Sequence, residues 1–129
     1  DAIGAAQVAK ASFAGMRFLH RLGGKVAIWP MDPLPEHASA VVEIYTRIYL
    51  RRAGLSGMKL RSLAALNEAL HALGSRPARL GLEPNDHQTD ALVTAAGMRQ
   101  LAAHEPRAFS PVGLTPQIAR SEGWTFGVL

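Results

Sequence analysis

The chain of 129 residues contains no cysteine. Disulfides and zinc–thiolate sites are therefore excluded, and the composition fits a reducing compartment. No apolar run approaches the roughly 18 residues that a membrane-crossing helix needs. No basic segment followed by an apolar run opens the sequence, so a secretory signal is not expected and the cytoplasm is the expected location. No glycine-rich phosphate loop is present, because RLGGK at 21–25 lacks the Walker spacing. No serine sits in a G-x-S-x-G context, which excludes a nucleophile elbow. Internal repeats and low-complexity tracts are also missing.

What is there starts with an apolar content of 48%, enough for a packed core in one small domain. The net charge is +4, and it is unevenly placed. Residues 47–79 hold Arg47, Arg51, Arg52, Lys59, Arg61, Arg76 and Arg79 against a single acid, Glu68. Residues 32–46 and 80–129 carry an excess of acid. A basic segment beside acidic clusters suits an enzyme that handles polyphosphates with a metal, and it is also common in arginine-rich proteins. The sequence opens on Asp1 rather than Met, which leads us to expect a processed, trimmed or partial chain.

The order of elements reads as α/β. SFAGMRFLHRL (12–22) is amphipathic, with Ser12 as a plausible N-cap and Gly23–Gly24 as its stop. KVAIWP (25–30) reads as a short buried strand halted by Pro30. AVVEIY (40–45) is rich in β-formers and nearly continuous, as in a strand covered on both faces of a parallel or mixed sheet. TRIYLRRAGL gives a short helix broken at Gly54. RSLAALNEALHAL (61–73) is a strong helix, with Leu63, Leu66, Leu70 and Leu73 on one face and Gly74 closing it. Residues 75–86 form a proline-punctuated loop. A further helix starts near Asp86, where Asn85 and Gln88 make a capping-box pair. Ala91, Ala95, Met98 and Ala102 are its expected packing stripe. Residues 104–122 look mostly irregular, and WTFGV (124–128) is a last strand or a docked tail.

The chemistry concentrates in NDHQTDALVTAAG (85–97). On a helix, Asp86, His87 and Asp90 fall three and four residues apart and share a face. Two carboxylates one turn apart repel unless a cation sits between them, and oxygen ligands suit a hard divalent ion. An imidazole beside them tilts the choice toward Mn²⁺ without excluding Mg²⁺. The competing explanation is that an acid in a first helical turn is favoured by the helix dipole. Glu43 sits in mid-strand between apolar residues. If buried, it needs an arginine, a hydrogen bond or a metal, and Arg47 is the nearest candidate partner.

VVEIYTRIYLRRAGL followed by DHQTDALVTAAGMRQL resembles the C-terminal half of RNase H-like nucleases. The nearer likeness is to a bacterial family of predicted RNase H-fold nucleases, and the more distant one to RuvC-type Holliday-junction resolvases. The H-x-x-D-A-L at His87–Leu92 matches their last helix residue by residue. GMRFLHRL and KVAIWP ahead of VVEIY fit the nearer family. The likeness covers most of the chain, from about residue 4 to EGWTFGV. It implies a partial RNase H-like fold, a small mixed sheet flanked by helices, with residues 1–129 forming one domain from the C-terminal part of a larger one. It also implies phosphodiester hydrolysis with two divalent ions, Mg²⁺ or Mn²⁺. Asp90 becomes a metal ligand, with His87 or Asp86 as a second. Arg47, Arg51, Arg52, Lys59 and Arg61 become contacts to nucleic-acid phosphates, on DNA or RNA. The family places its first essential Asp on a strand upstream of everything matched here, so the metal site is expected to need upstream residues. Glu43 is the candidate second acid, although in the resolvases the matching strand lies one position later, where its Glu is not a standard ligand. Two rivals stay open: a nucleotide-binding ATPase or kinase-like protein on the same fold, and a module that binds nucleic acid without catalysis. A short sheet would leave an edge on which two copies can pair as a homodimer.

Overall fold

The computed structural model describes residues 2–55 and 59–129, and the side chains of its first helix from residue 9 onward. The architecture is mixed and helix-rich with one small parallel sheet, broadly α/β. It divides into two compact units, Asp1–Val42 and Glu43–Leu129. Among the described residues no helix is long and apolar enough to cross a membrane.

The first unit holds helix α1 (Ala2–Leu22) and strands β1 (Ala27–Ile28) and β2 (Ala40–Val41). The helix begins well before Ser12, the expected cap, because the alanine-rich stretch ahead of it favours helix. It ends as the sequence indicates, at Gly23 and Gly24, both at positive φ. The strands pair in parallel, Ala27 opposite Ala40 and Ile28 opposite Val41, and the Trp29 amide continues the ladder to the Val41 carbonyl at 2.9 Å. Both are much shorter than the strands expected over 25–30 and 40–45. β1 stops because the chain turns: the Asp32 carboxylate accepts from the Ile28 amide at 2.9 Å, and the Asp32 amide donates back to the Ile28 carbonyl at 2.8 Å.

The second unit is built around one long helix. It contains α2 (Thr46–Arg52), α3 (Leu63–Ala72), α4 (Asp86–His104) and α5 (Pro116–Ser121). Both α2 and α3 pack on α4. α3 starts at Ser62, whose hydroxyl accepts from the Ala65 amide at 3.2 Å, and the Glu83 carboxylate accepts from the Leu63 amide. Of the expected face, Leu66, Leu70 and Leu73 are buried, joined by Ala69, while Leu63 is half-buried at the helix start. Each buried leucine stabilises the unit by roughly 1.5–3 kcal/mol. Asn67 ties the following loop down, accepting from the Ala78 amide at 2.7 Å and donating to its carbonyl. Arg99 of α4 donates to the Gly74 carbonyl and the Ser75 hydroxyl, which fixes the end of α3 against α4.

The buried face of α4 differs from the expected one. Ala91, Ala95 and Ala102 are exposed and Met98 is half-buried, whereas Thr89, Val93, Thr94, Ala96, Gly97 and Leu101 are buried. The reason is Tyr49 on α2. A Cβ at residue 97 would fall 2.6 Å from the Cβ of Tyr49, so only glycine lets α2 approach this closely. The chain's end closes the unit as a docked tail rather than a strand. Thr125 makes a single parallel bridge to Glu43, and the Phe126 amide donates to the Glu43 carbonyl at 2.9 Å. The Phe126 ring is buried 4.8 Å from that of Phe109, measured between centroids.

Candidate functional site

Helices α2 and α4 lie side by side and run the same way, Thr46 meeting Thr94 and Tyr49 meeting Gly97. α2 therefore starts opposite the middle of α4, and the first two turns of α4 extend beyond it. There they frame a cleft of about 470 Å³ lined by Ile44, Tyr45, Thr46, Arg47, Leu50, Arg51, Lys59, Leu60, Asp86, Thr89 and Asp90.

Local sequence explains each wall. Asn85 caps α4, its side chain accepting from the Gln88 amide at 2.9 Å while the Gln88 side chain accepts from the Asn85 amide at 3.1 Å. That box sets the helical register from Asp86 onward. Asp86, Thr89 and Asp90 then line up on one side of α4. The buried Thr89 hydroxyl donates to the Leu60 carbonyl at 3.4 Å and draws the Lys59–Leu60 segment onto that side. The hydroxyls of Thr46 and Thr94, 3.1 Å apart, join the helices at the base. Arg47 and Arg51, one turn apart on α2, form the opposite wall.

Asp86, Asp90, Arg47, Arg51 and Lys59 thus share one cleft. Lys59 Nζ lies 3.9 Å from Asp86 Oδ2. Both side chains are largely exposed, so this pair contributes less than about 1 kcal/mol and yields readily to a ligand. Other expected members lie elsewhere. His87 is exposed and absent from the lining, because it projects one residue round the helix from Asp86. Arg61 is exposed off the cleft, and Arg52 lines a separate depression with Gln100 and His104. The basic stretch also passes through residues 56–58, which lie outside the described residues.

Glu43 departs furthest from expectation. It is exposed rather than buried, and its carboxylate accepts from the Thr125 hydroxyl at 2.9 Å. No Glu43–Arg47 ion pair forms among the described residues. The strand that would have buried it ends at Val41, and its backbone pairs with the tail instead. The sequence reading missed Thr89 and Thr46. Thr89 carried a signal, since it lies three residues after Asp86 on the same helical face.

Among the described residues, no group of three or more His, Cys, Asp or Glu side chains comes together to hold a metal ion. Among the described residues, the carboxylates that line the cleft are those of Asp86 and Asp90. Two carboxylates with waters and a substrate phosphate are a usual set for Mg²⁺, so they fit one such ion and fall short of two. Comparison with protein-family models, with curated proteins and with solved structures finds no match.

Proposed function

We propose that the cleft between α2 and α4 binds the phosphodiester backbone of DNA or RNA and hydrolyses it, as part of a divalent-metal-dependent nuclease of RNase H-like type. One observation carries this reading: two carboxylates one turn apart share a single open cleft with three cations. Carboxylates alone would repel a phosphate, and cations alone would bind it without reacting. Together they match a phosphate accompanied by a divalent cation. The H-x-x-D-A-L motif at the start of α4 supports the RNase H-like assignment.

In this reading Asp86 and Asp90 would hold Mg²⁺ or Mn²⁺. The ion would supply Lewis-acid stabilisation of the phosphoryl oxygens and a more acidic water. Arg47 and Arg51 hold the phosphate's non-bridging oxygens, and Lys59, released from Asp86, adds a third cation. Water adds to phosphorus, the bond to the leaving oxygen breaks, and that oxygen takes up a proton. A two-ion form of this chemistry needs acids beyond Asp86 and Asp90, because His87 and Glu43 lie off the cleft. A cytoplasmic location and pairing of two copies along the β1–β2 edge belong to the same proposal.

The test is cleavage of labelled single-stranded, duplex and branched DNA and of RNA, with and without Mg²⁺ or Mn²⁺, for the chain and its Asp90→Asn variant. We expect metal-dependent cleavage that falls about a hundredfold or more in the variant, the order lost when a charge-stabilising group is removed. Cleavage that ignores the variant would sink the reading. Saturable ATP binding without cleavage would favour the ATPase alternative. Salt-sensitive binding indifferent to metal and to Asp90 would favour a non-catalytic module.

A further inference from the structure

Helix α1 carries three cations and no acid, and its cations share one face. Lys10 and Arg17 are two turns apart, and Arg21 follows one turn later. All three are exposed. Aromatic rings sit among them. Phe13 lies one turn from both Lys10 and Arg17, and Phe18 lies one turn from Arg21. Both rings stand open to solvent, Phe13 at 61% and Phe18 at 60% exposure. Leu19 and Leu22, on the side away from the cations, are half-buried.

From this arrangement we infer that the Lys10–Arg21 face of α1 is a binding surface for single-stranded nucleic acid, the three cations contacting phosphates and Phe13 and Phe18 stacking on bases. A stripe of one sign is complementary to a polyanion and repels a second copy of itself. Open aromatic rings next to cations suit a strand whose base faces are free, because duplex pairing hides those faces. A lipid surface would instead draw in the apolar side of the helix, where Leu19 and Leu22 are half-buried and Met16 alone is exposed among the described large apolar residues. The inference rests on the reading that this chain handles nucleic acid, and it adds a contact separate in sequence from the cleft.

The test is binding of a fluorescent single strand, followed by anisotropy across a salt series. The full chain is compared with its Lys10→Gln/Arg17→Gln/Arg21→Gln and Phe13→Ala/Phe18→Ala variants. Loss of the cations should weaken binding about tenfold or more and reduce the salt slope by about 2, at roughly 0.7 per phosphate on a single strand. Loss of the rings should weaken binding at least about fivefold with the slope unchanged. Circular dichroism checks that α1 persists. If the helix is lost in a variant, acylation of Lys10 in the parent decides: slowing by the strand supports the surface, and an unchanged rate overturns it. Unchanged affinity and slope in the cation variant overturn the inference, as does a preference for duplex. Attachment to phosphatidylserine vesicles that a single strand fails to compete away also overturns it. Strand binding through α1 with no cleavage would sink the nuclease reading alone. Cleavage with intact affinity in the cation variant would sink this one alone.

Discussion

Helices α2 and α4 meet twice, and the two meetings are built on opposite principles. At mid-helix, Tyr49 is fully buried against Gly97, and its hydroxyl donates to the Phe126 carbonyl at 2.8 Å. Gly127, at φ 105°, lets the tail pass close by, where an added Cβ would sit 3.5 Å from that hydroxyl. Beyond that contact, Arg47 and Arg51 of α2 and Asp86 and Asp90 of α4 line an open cleft, and the only ion pair there is long and exposed among the described residues. One junction is dry and complementary in shape. The other is wet, charged and loosely paired. The packing that fixes the helix pair lies away from the groups available for chemistry, so the cleft residues are free to serve a ligand.

The largest effect should come from breaking the dry junction. Tyr49→Ala removes the ring that spans α2, α4 and the tail, and it should cost about 3–5 kcal/mol in a urea titration, the range for large aromatic truncations in cores. A loss below about 1 kcal/mol would mean that the two junctions do not differ in the way described.

That junction is also where the sequence was least informative. The leucine spacing of α3 and the Asn85–Gln88 box are local signals, and both forms appear where the sequence indicates. The buried face of α4 is not a local signal. It mixes hydroxyls, Ala, Val and glycine, so it shows little apolar periodicity, and Gly97 is selected by a tyrosine far away in sequence. An alanine stripe competes for the same assignment and wins on pattern alone. AVVEIY failed for a related reason: β-propensity marks residues that can pair, but the partners are set by Ala27–Ile28 on one side of Val42 and by Thr125 on the other. The cleft was more legible, because Asp86 and Asp90 sit in one helix and Arg47 and Arg51 in another. The sequence could not show that these two helices pack side by side.

A smaller change sharpens the comparison by separating shape from polarity. Tyr49→Phe keeps the ring and leaves the Phe126 carbonyl without its donor, which should cost about 1–2 kcal/mol. Burial pushes the Tyr49 phenol up from 10.0 to about 12, against the opposing pull of the Arg52 charge. Folding thus favours the neutral phenol. Its contribution is fully present below pH 10 and is lost as pH rises through about 12. The stability gap between parent and variant should be constant from neutral pH to about 9 and shrink between 10 and 12. A gap that stays level across that window would show that the phenol is not protected from water.

The smallest effect belongs to the wet junction. Asp90 is exposed in the second turn of α4, beyond the reach of the cap, and no ion pair holds it among the described residues. Asp90→Asn should therefore move stability by less than about 0.5 kcal/mol in either direction, as surface changes do. Asn85→Ala, one turn earlier, removes a cap acceptor and should cost about 1 kcal/mol. The pair of measurements separates two roles for the same short stretch. If Asp90→Asn is as costly as Asn85→Ala, the carboxylate is part of the helix start, and its proposed role in the cleft loses its ground. If it is neutral while Asn85→Ala is not, the fold does not require an acid at position 90, and the carboxylate stays available for the ligand proposed above.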